Sequence, residues 1–139
     1  MLIGEYFHGI DPKGRVIFPA KFREEMGEGL IITQNPDYCL AVYTQAEWMK
    51  IADALNSLPR SKSAEIRRFF FAHASDVEID KQGRVLIPTT LREYAGLTKE
   101  VAIIGTYDKV EIWDKERWSA KCSQMSPESI AQAMEDLGF

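Results

Sequence analysis

This chain of 139 residues is short of cysteine, of histidine and of positive charge. Its two cysteines, Cys39 and Cys122, lie far apart and at no ligand spacing. That sets aside a disulfide framework and predicts two reduced thiols in a cytoplasmic protein. His8 and His73 are solitary, without a cysteine or carboxylate at ligand spacing, so packing or capping is expected of them rather than metal binding. Lys and Arg number 17 against 21 Asp and Glu, a formal net charge of −4. A broadly basic nucleic-acid coat is thereby excluded, and any anion site must be a local cluster. No apolar run could cross a bilayer, and Met1-Leu2-Ile3-Gly4-Glu5 has no basic lead-in. Phosphate-cradling glycine loops, Ser-His-Asp or Cys-His arrangements and paired catalytic carboxylates are missing as well. The reading is therefore not an enzyme, with no cofactor and no small-molecule substrate.

What is present is one phrase written twice. Asp11-Pro12-Lys13-Gly14-Arg15-Val16-Ile17-Phe18-Pro19, followed by Phe22-Arg23-Glu24, returns as Asp80-Lys81-Gln82-Gly83-Arg84-Val85-Leu86-Ile87-Pro88, followed by Leu91-Arg92-Glu93. Asp, Gly, Arg, Val, Pro, Arg and Glu recur in register, the mark of an internal repeat.

Around each phrase the same programme is legible. Glu5 to Asp11 alternates as a strand, with Tyr6, His8 and Ile10 on one face. Asp11 and Gly14, like Asp80 and Gly83, are turn-formers: Asp hydrogen-bonds the backbone, and Gly accepts a left-handed conformation suited to a bulged hairpin. Arg15-Val16-Ile17-Phe18 is expected back as the partner strand. Pro19 and Pro88 are placed at the first helical position, and Gly27 and Gly96 close the short helices they begin. Strands at Leu30 to Thr33 and Cys39 to Tyr43 answer strands at Val101 to Ile104 and Val110 to Trp113. Thr44 and Asp114 then cap helices carrying Trp48 and Trp118. Between the copies, Ala64 to Ala74 reads as a helix; Phe69-Phe70-Phe71 is apolar all round and predicts insertion between two surfaces. Ser126-Pro127 opens a last helix with Ile130, Met134 and Leu137 in a stripe. The division is 1–59, a linker helix at 60–75, and 76–139. About fifty residues bury too little core alone, so the two copies are expected to complete each other as an intrachain pseudo-dimer. The fold class is α+β, with paired hairpins closing a small β-barrel.

Arg15 and Arg84 are the leading site candidates. An arginine fork matches phosphate and the major-groove edge of guanine. The competing role is an internal pair with Asp11 and Asp80, and the two are compatible, since a carboxylate can also aim an arginine. Lys13, Lys21 and Arg23 are assigned to the first turn, and Lys81 and Arg92 to the second. Each alone would be a solvated surface charge; their gathering about two equivalent turns points to an anionic partner.

The pattern Asp-x-x-Gly-Arg-x-x-x-Pro-x-x-x-Arg, ungapped in both copies, resembles the MraZ family of bacterial transcriptional regulators, and each copy resembles the DNA-binding domain of AbrB. Leu91 to Glu100 and Glu111-Ile112-Trp113-Asp114 are similar to that family too. The tail after Trp118 is less distinctive and looks short for it. The resemblance implies a duplicated double swapped-hairpin β-barrel with short peripheral helices and a ring-shaped homo-oligomer. It implies binding of double-stranded DNA at short repeated boxes upstream of the operon for division and cell-wall genes, usually as a repressor, and hence association with the nucleoid. The alternative is a ring scaffold whose basic turns hold an acidic protein partner.

Overall fold

The computed structural model describes residues 1–139. Each half of the chain lays down strand, strand, helix, strand, strand, helix. The first half is β1 (Leu2–Gly9), β2 (Arg15–Ile17), α1 (Ala20–Met26), β3 (Leu30–Asn35), β4 (Cys39–Tyr43) and α2 (Gln45–Asn56). After α3 (Arg60–Phe71), the second is β5 (Ser75–Val77), β6 (Arg84–Leu86), α4 (Thr89–Ala95), β7 (Glu100–Tyr107), β8 (Val110–Asp114) and α5 (Lys115–Gln124), with α6 (Pro127–Asp136) last. The result is a mixed α+β protein with antiparallel strands and six helices.

Several boundaries move from their sequence positions. β1 starts at Leu2 because all eight of its residues find partners on β7. Pro19 and Pro88 are caps rather than first helical residues: their ψ angles are extended, at 134° and 145°, while their carbonyls already accept from Arg23 and Arg92. α3 starts four residues earlier than expected, directly after its cap Pro59, and ends at Phe71.

The larger difference concerns pairing. β2 does not return along β1; a single bridge, Ile10 to Val16, marks that hairpin, and Ile79 to Val85 marks its counterpart. Instead β2 pairs with β6, its equivalent in the other half. The other six strands form one sheet in the order β1-β7-β8-β4-β3-β5. Thus β1 is donated to the second half's β7, and β5 to the first half's β3, while β4 and β8 pair with each other. The sheet is open, with β1 and β5 as its edges, so these hydrogen bonds form no closed barrel.

One apolar core serves both halves. Val16, Phe18, Phe22 and Leu30 share a cluster with Val85, Ile87, Leu91 and Val101. Trp48 packs on Tyr43 and Phe71, and Trp118 on Trp113. The triple Phe is only half-buried, and α3 is not inserted as expected: Phe71 meets Trp48 of α2 at 5.2 Å and Phe69 meets Tyr94 of α4 at 6.1 Å, but Ser63 is the one buried residue of the helix, which otherwise lies at the surface. Two buried polar residues of β3 tie down its end. Thr33 donates to the Phe70 carbonyl at 2.6 Å and Gln34 to the Phe69 carbonyl at 3.2 Å, with His73 Nδ1 3.1 Å from the Gln34 amide. These are late carbonyls of the helix, which have no partner within it. Ile130 and Met134 of α6, and Leu137 just past its end, are all exposed.

Thr33→Val keeps the shape of the side chain but removes the donor to Phe70. The expected loss is about 1–3 kcal/mol of unfolding free energy, measured by denaturant titration, with α3 the first segment to lose amide-exchange protection.

Candidate nucleic-acid interface

Both turns are built from the same two residues. In the first, the Asp11 carbonyl accepts from Gly14 N–H at 2.9 Å, and Gly14 takes a φ of +86°. Asp11 Oδ1 accepts from the backbone of Lys13 and of Arg15, and Oδ2 accepts from Arg15 Nε at 2.6 Å. The second turn repeats this without a proline. Gly83 has a φ of +78°, Asp80 Oδ1 accepts from Gln82 and Arg84 N–H, and Oδ2 lies 2.9 Å from Arg84 Nε. Asp and Gly are therefore sufficient for the turn. The backbone N–H of Arg15, with its guanidinium, holds the Asp11 carboxyl below its ordinary value of 3.8 against a smaller opposing effect of desolvation. Arg84 does the same to Asp80.

The internal ion pairs weighed against an external role for Arg15 and Arg84 are thus present. They engage only Nε. Neither Nη atom of either arginine makes a hydrogen bond within the chain, so the outer edge of each guanidinium is left for another partner.

The register of β2 on β6 decides where these arginines point. Arg15 lies opposite Leu86, Val16 opposite Val85, and Ile17 opposite Arg84. Side chains alternate along a strand. Val16 and Val85 turn inward and are 1% and 2% exposed. Arg15, Ile17, Arg84 and Leu86 therefore share the outward face, arranged as a checkerboard about the pseudo-two-fold.

The turns also lock each other. Gly14 and Gly83 are buried. The Gly83 carbonyl accepts from Phe18 N–H at 2.8 Å, and the Gly14 carbonyl from Ile87 N–H at 2.9 Å. A Cβ on Gly14 would lie 2.6 Å from the Arg92 guanidinium carbon, and one on Gly83 2.9 Å from that of Arg23. This corrects the assignment of cations. Arg23 packs on the second turn and Arg92 on the first. Their Nε atoms are spent on the Phe18 and Ile87 carbonyls, and Arg92 also reaches the Thr89 hydroxyl. Both therefore brace the turns from within the chain. The exchange moves one arginine each way, so Lys21, where the second half has Thr90, remains the first half's surplus. Lys13, Lys21 and Lys81 are exposed, as a contact role needs.

Elsewhere, two cations of α3 are committed within the chain: Arg67 bonds Asn56 and Ser63, and Arg68 pairs with Glu65. Cys39 and Cys122 are free, and burial pushes the Cys39 thiol up to about 12. No helix is long and apolar enough to cross a membrane. Sequence reasoning placed Ile17 in the partner strand of its hairpin and singled out neither Ile17 nor Leu86, which the β2–β6 register sets on the outward face of the ribbon. The pairing of Arg23 and Arg92 with the opposite turn was missed too. One signal was available: Arg recurs nine residues after the turn Gly in both copies, whereas Lys21 does not recur, as expected if the arginine serves the fold.

Gly14→Val combines a left-handed φ with a clash on Arg92, and Gly83→Val does the same on Arg23. Each should cost on the order of 2–3 kcal/mol and lower Tm by roughly 10 °C, whereas Gly27→Ala, with nothing within 4 Å, should cost less. The turns also predict an acid response. Because the folded pKa values of Asp11 and Asp80 are depressed, their stabilisation is complete above the unfolded value and is lost as pH falls through the folded one. Asp11→Asn/Asp80→Asn should therefore flatten the fall of Tm with pH below about 4; an unchanged acid limb in melting curves would show that other carboxylates govern it.

The model of the family described as "MraZ protein, putative antitoxin-like" matches the chain twice, over residues 1–68 and 70–138. Proteins named "Transcriptional regulator MraZ" from Acetivibrio thermocellus and Caldicellulosiruptor saccharolyticus are 52% and 53% identical to it, each aligned over 100% of both chains. A third of that name, from Lachnoclostridium phytofermentans, is 46% identical over 100% of this chain and 99% of its own. The tail is thus not short relative to these proteins. A solution structure of PHS018 from Pyrococcus horikoshii, 14% identical and covering 81% of this chain and 88% of that one, superposes with a TM-score of only 0.33 and carries no argument. Two successive family matches and full-length identity near one half establish that the chain belongs to the MraZ family.

Proposed function

We propose that this protein is a sequence-specific DNA-binding transcriptional regulator whose contact surface is the outer face of the β2–β6 ribbon and its two turns. The observation that carries this reading is the register that sets Arg15 and Arg84 on one face with their Nη edges unengaged. A two-stranded ribbon fits the major groove. Arg15 and Arg84 contact guanine edges or adjacent phosphates, held in aim by Asp11 and Asp80. Lys13, Lys21 and Lys81 neutralise flanking phosphates and set register. Arg23 and Arg92 support the turns and add positive potential from behind. We read the exchange of β1 and β5 as the AbrB-like double swapped hairpin, with repeats at 1–59 and 76–139 joined by 60–75. In keeping with the MraZ resemblance, the protein acts from a homo-oligomeric ring, in the cytoplasm and on the nucleoid, as a repressor at short repeated boxes before the division and cell-wall operon. The ring matters physically, because a chain of net charge −4 approaches DNA against its own long-range field. Tethered subunits raise avidity by about 10²–10⁴ over a single contact.

The test is a gel shift on the DNA upstream of the protein's own gene. Arg15→Ala should keep the fold and weaken binding by about 10–100-fold per engaged contact. Arg23→Ala should lower Tm as well as affinity. Regularly spaced boxes should outbind boxes displaced by half a helical turn, and affinity should fall steeply with salt. A folded oligomer that shifts no DNA would leave the acidic-partner scaffold as the better account.

A further inference from the structure

The outward face of the ribbon holds two arginines, but its other two positions are large and apolar. Ile17 is 44% exposed and Leu86 60% exposed. Solvent-facing positions on a half-buried antiparallel pair are ordinarily polar, and one exposed apolar side chain would need no explanation. Here the exposure recurs at equivalent positions of both halves, on the diagonal of the checkerboard that Arg15 and Arg84 leave open. Diagonal neighbours on a ribbon are about 7–8 Å apart, and stacked bases about 3.4 Å. The four side chains therefore span roughly two to three base pairs. In the major groove the one apolar feature is the thymine methyl, and apolar side chains are its usual partners.

We infer that Ile17 and Leu86 are specificity-determining residues that contact thymine methyl groups beside the bases or phosphates met by Arg15 and Arg84. This rests on the proposed DNA reading and adds the base that the apolar diagonal selects. Burying a methyl is worth about a fourfold change in affinity.

The upstream fragment is amplified with thymidine or with deoxyuridine, which lacks only that methyl, and titrated with four proteins: wild type, Ile17→Ala/Leu86→Ala, Ile17→Val and Arg15→Ala. Wild type should bind the thymine duplex tighter by about fourfold per contact. The double alanine variant should lose that ratio, binding both duplexes alike, and Ile17→Val should keep part of it. Arg15→Ala should bind both more weakly while retaining the ratio. Equal binding of the two duplexes by wild type overturns the inference and leaves the DNA reading standing. So does a preference that survives in the double alanine variant, or a change in that variant's oligomeric mass, which would make the pair a subunit contact. Failure of wild type to bind either duplex overturns both. Were the alanine variant unable to fold, the wild-type ratio and Ile17→Val would still decide.

Discussion

Two hydrogen bonds that cross between the halves of the chain close the ribbon on which the shared core and the arginine face both depend. Each turn glycine offers its carbonyl to the backbone just past the other half's short strand, Gly83 to Phe18 and Gly14 to Ile87. Between them lie the three residue pairs of the β2–β6 ribbon. Three residues cannot make a stable two-stranded ribbon in water; this one persists because Val16 and Val85 are its inward face and belong to the common core. Closing that ribbon brings Phe18 with Phe22, and Ile87 with Leu91, into one apolar cluster. It also fixes the arginines outside. Fold and site are then consequences of the same contact.

The duplicated phrase made much of this legible. Asp and Gly at the turns, Pro before each short helix, the capping Thr44 and Asp114 and the two tryptophan helices all stand close to where local chemistry puts them. The resulting elements alternate as the repeat requires. What sequence could not supply was the partner of each strand. Arg15 to Phe18 pairs as well with the strand before it as with its twin 69 residues later, because alternation specifies a face and not a neighbour. The choice is made in three dimensions, where β1 finds a full-length partner in β7 and leaves β2 to β6.

The same limit explains the misplaced arginines. Nearness along the chain put Arg23 with Gly14 and Arg92 with Gly83. Exchange puts each against the other glycine, close enough that a single methyl would collide. The ion pairs of Arg15 and Arg84 were legible because their partner, an aspartate four residues back, is local. Side chains whose contacts are local can be placed from sequence. Those whose contacts cross the pseudo-symmetry need the topology.

Because the ribbon comes from one duplicated chain and not from two identical ones, its symmetry is broken for good. Ile17 answers Leu86, and Lys21 faces outward where its twin is Thr90. A true homodimer would present the same view after a half-turn and could not tell a ligand from its reversed copy. This face has a head and a tail. An ordered array of such chains would inherit that direction, and a substitution in one half alters one side of the ribbon alone.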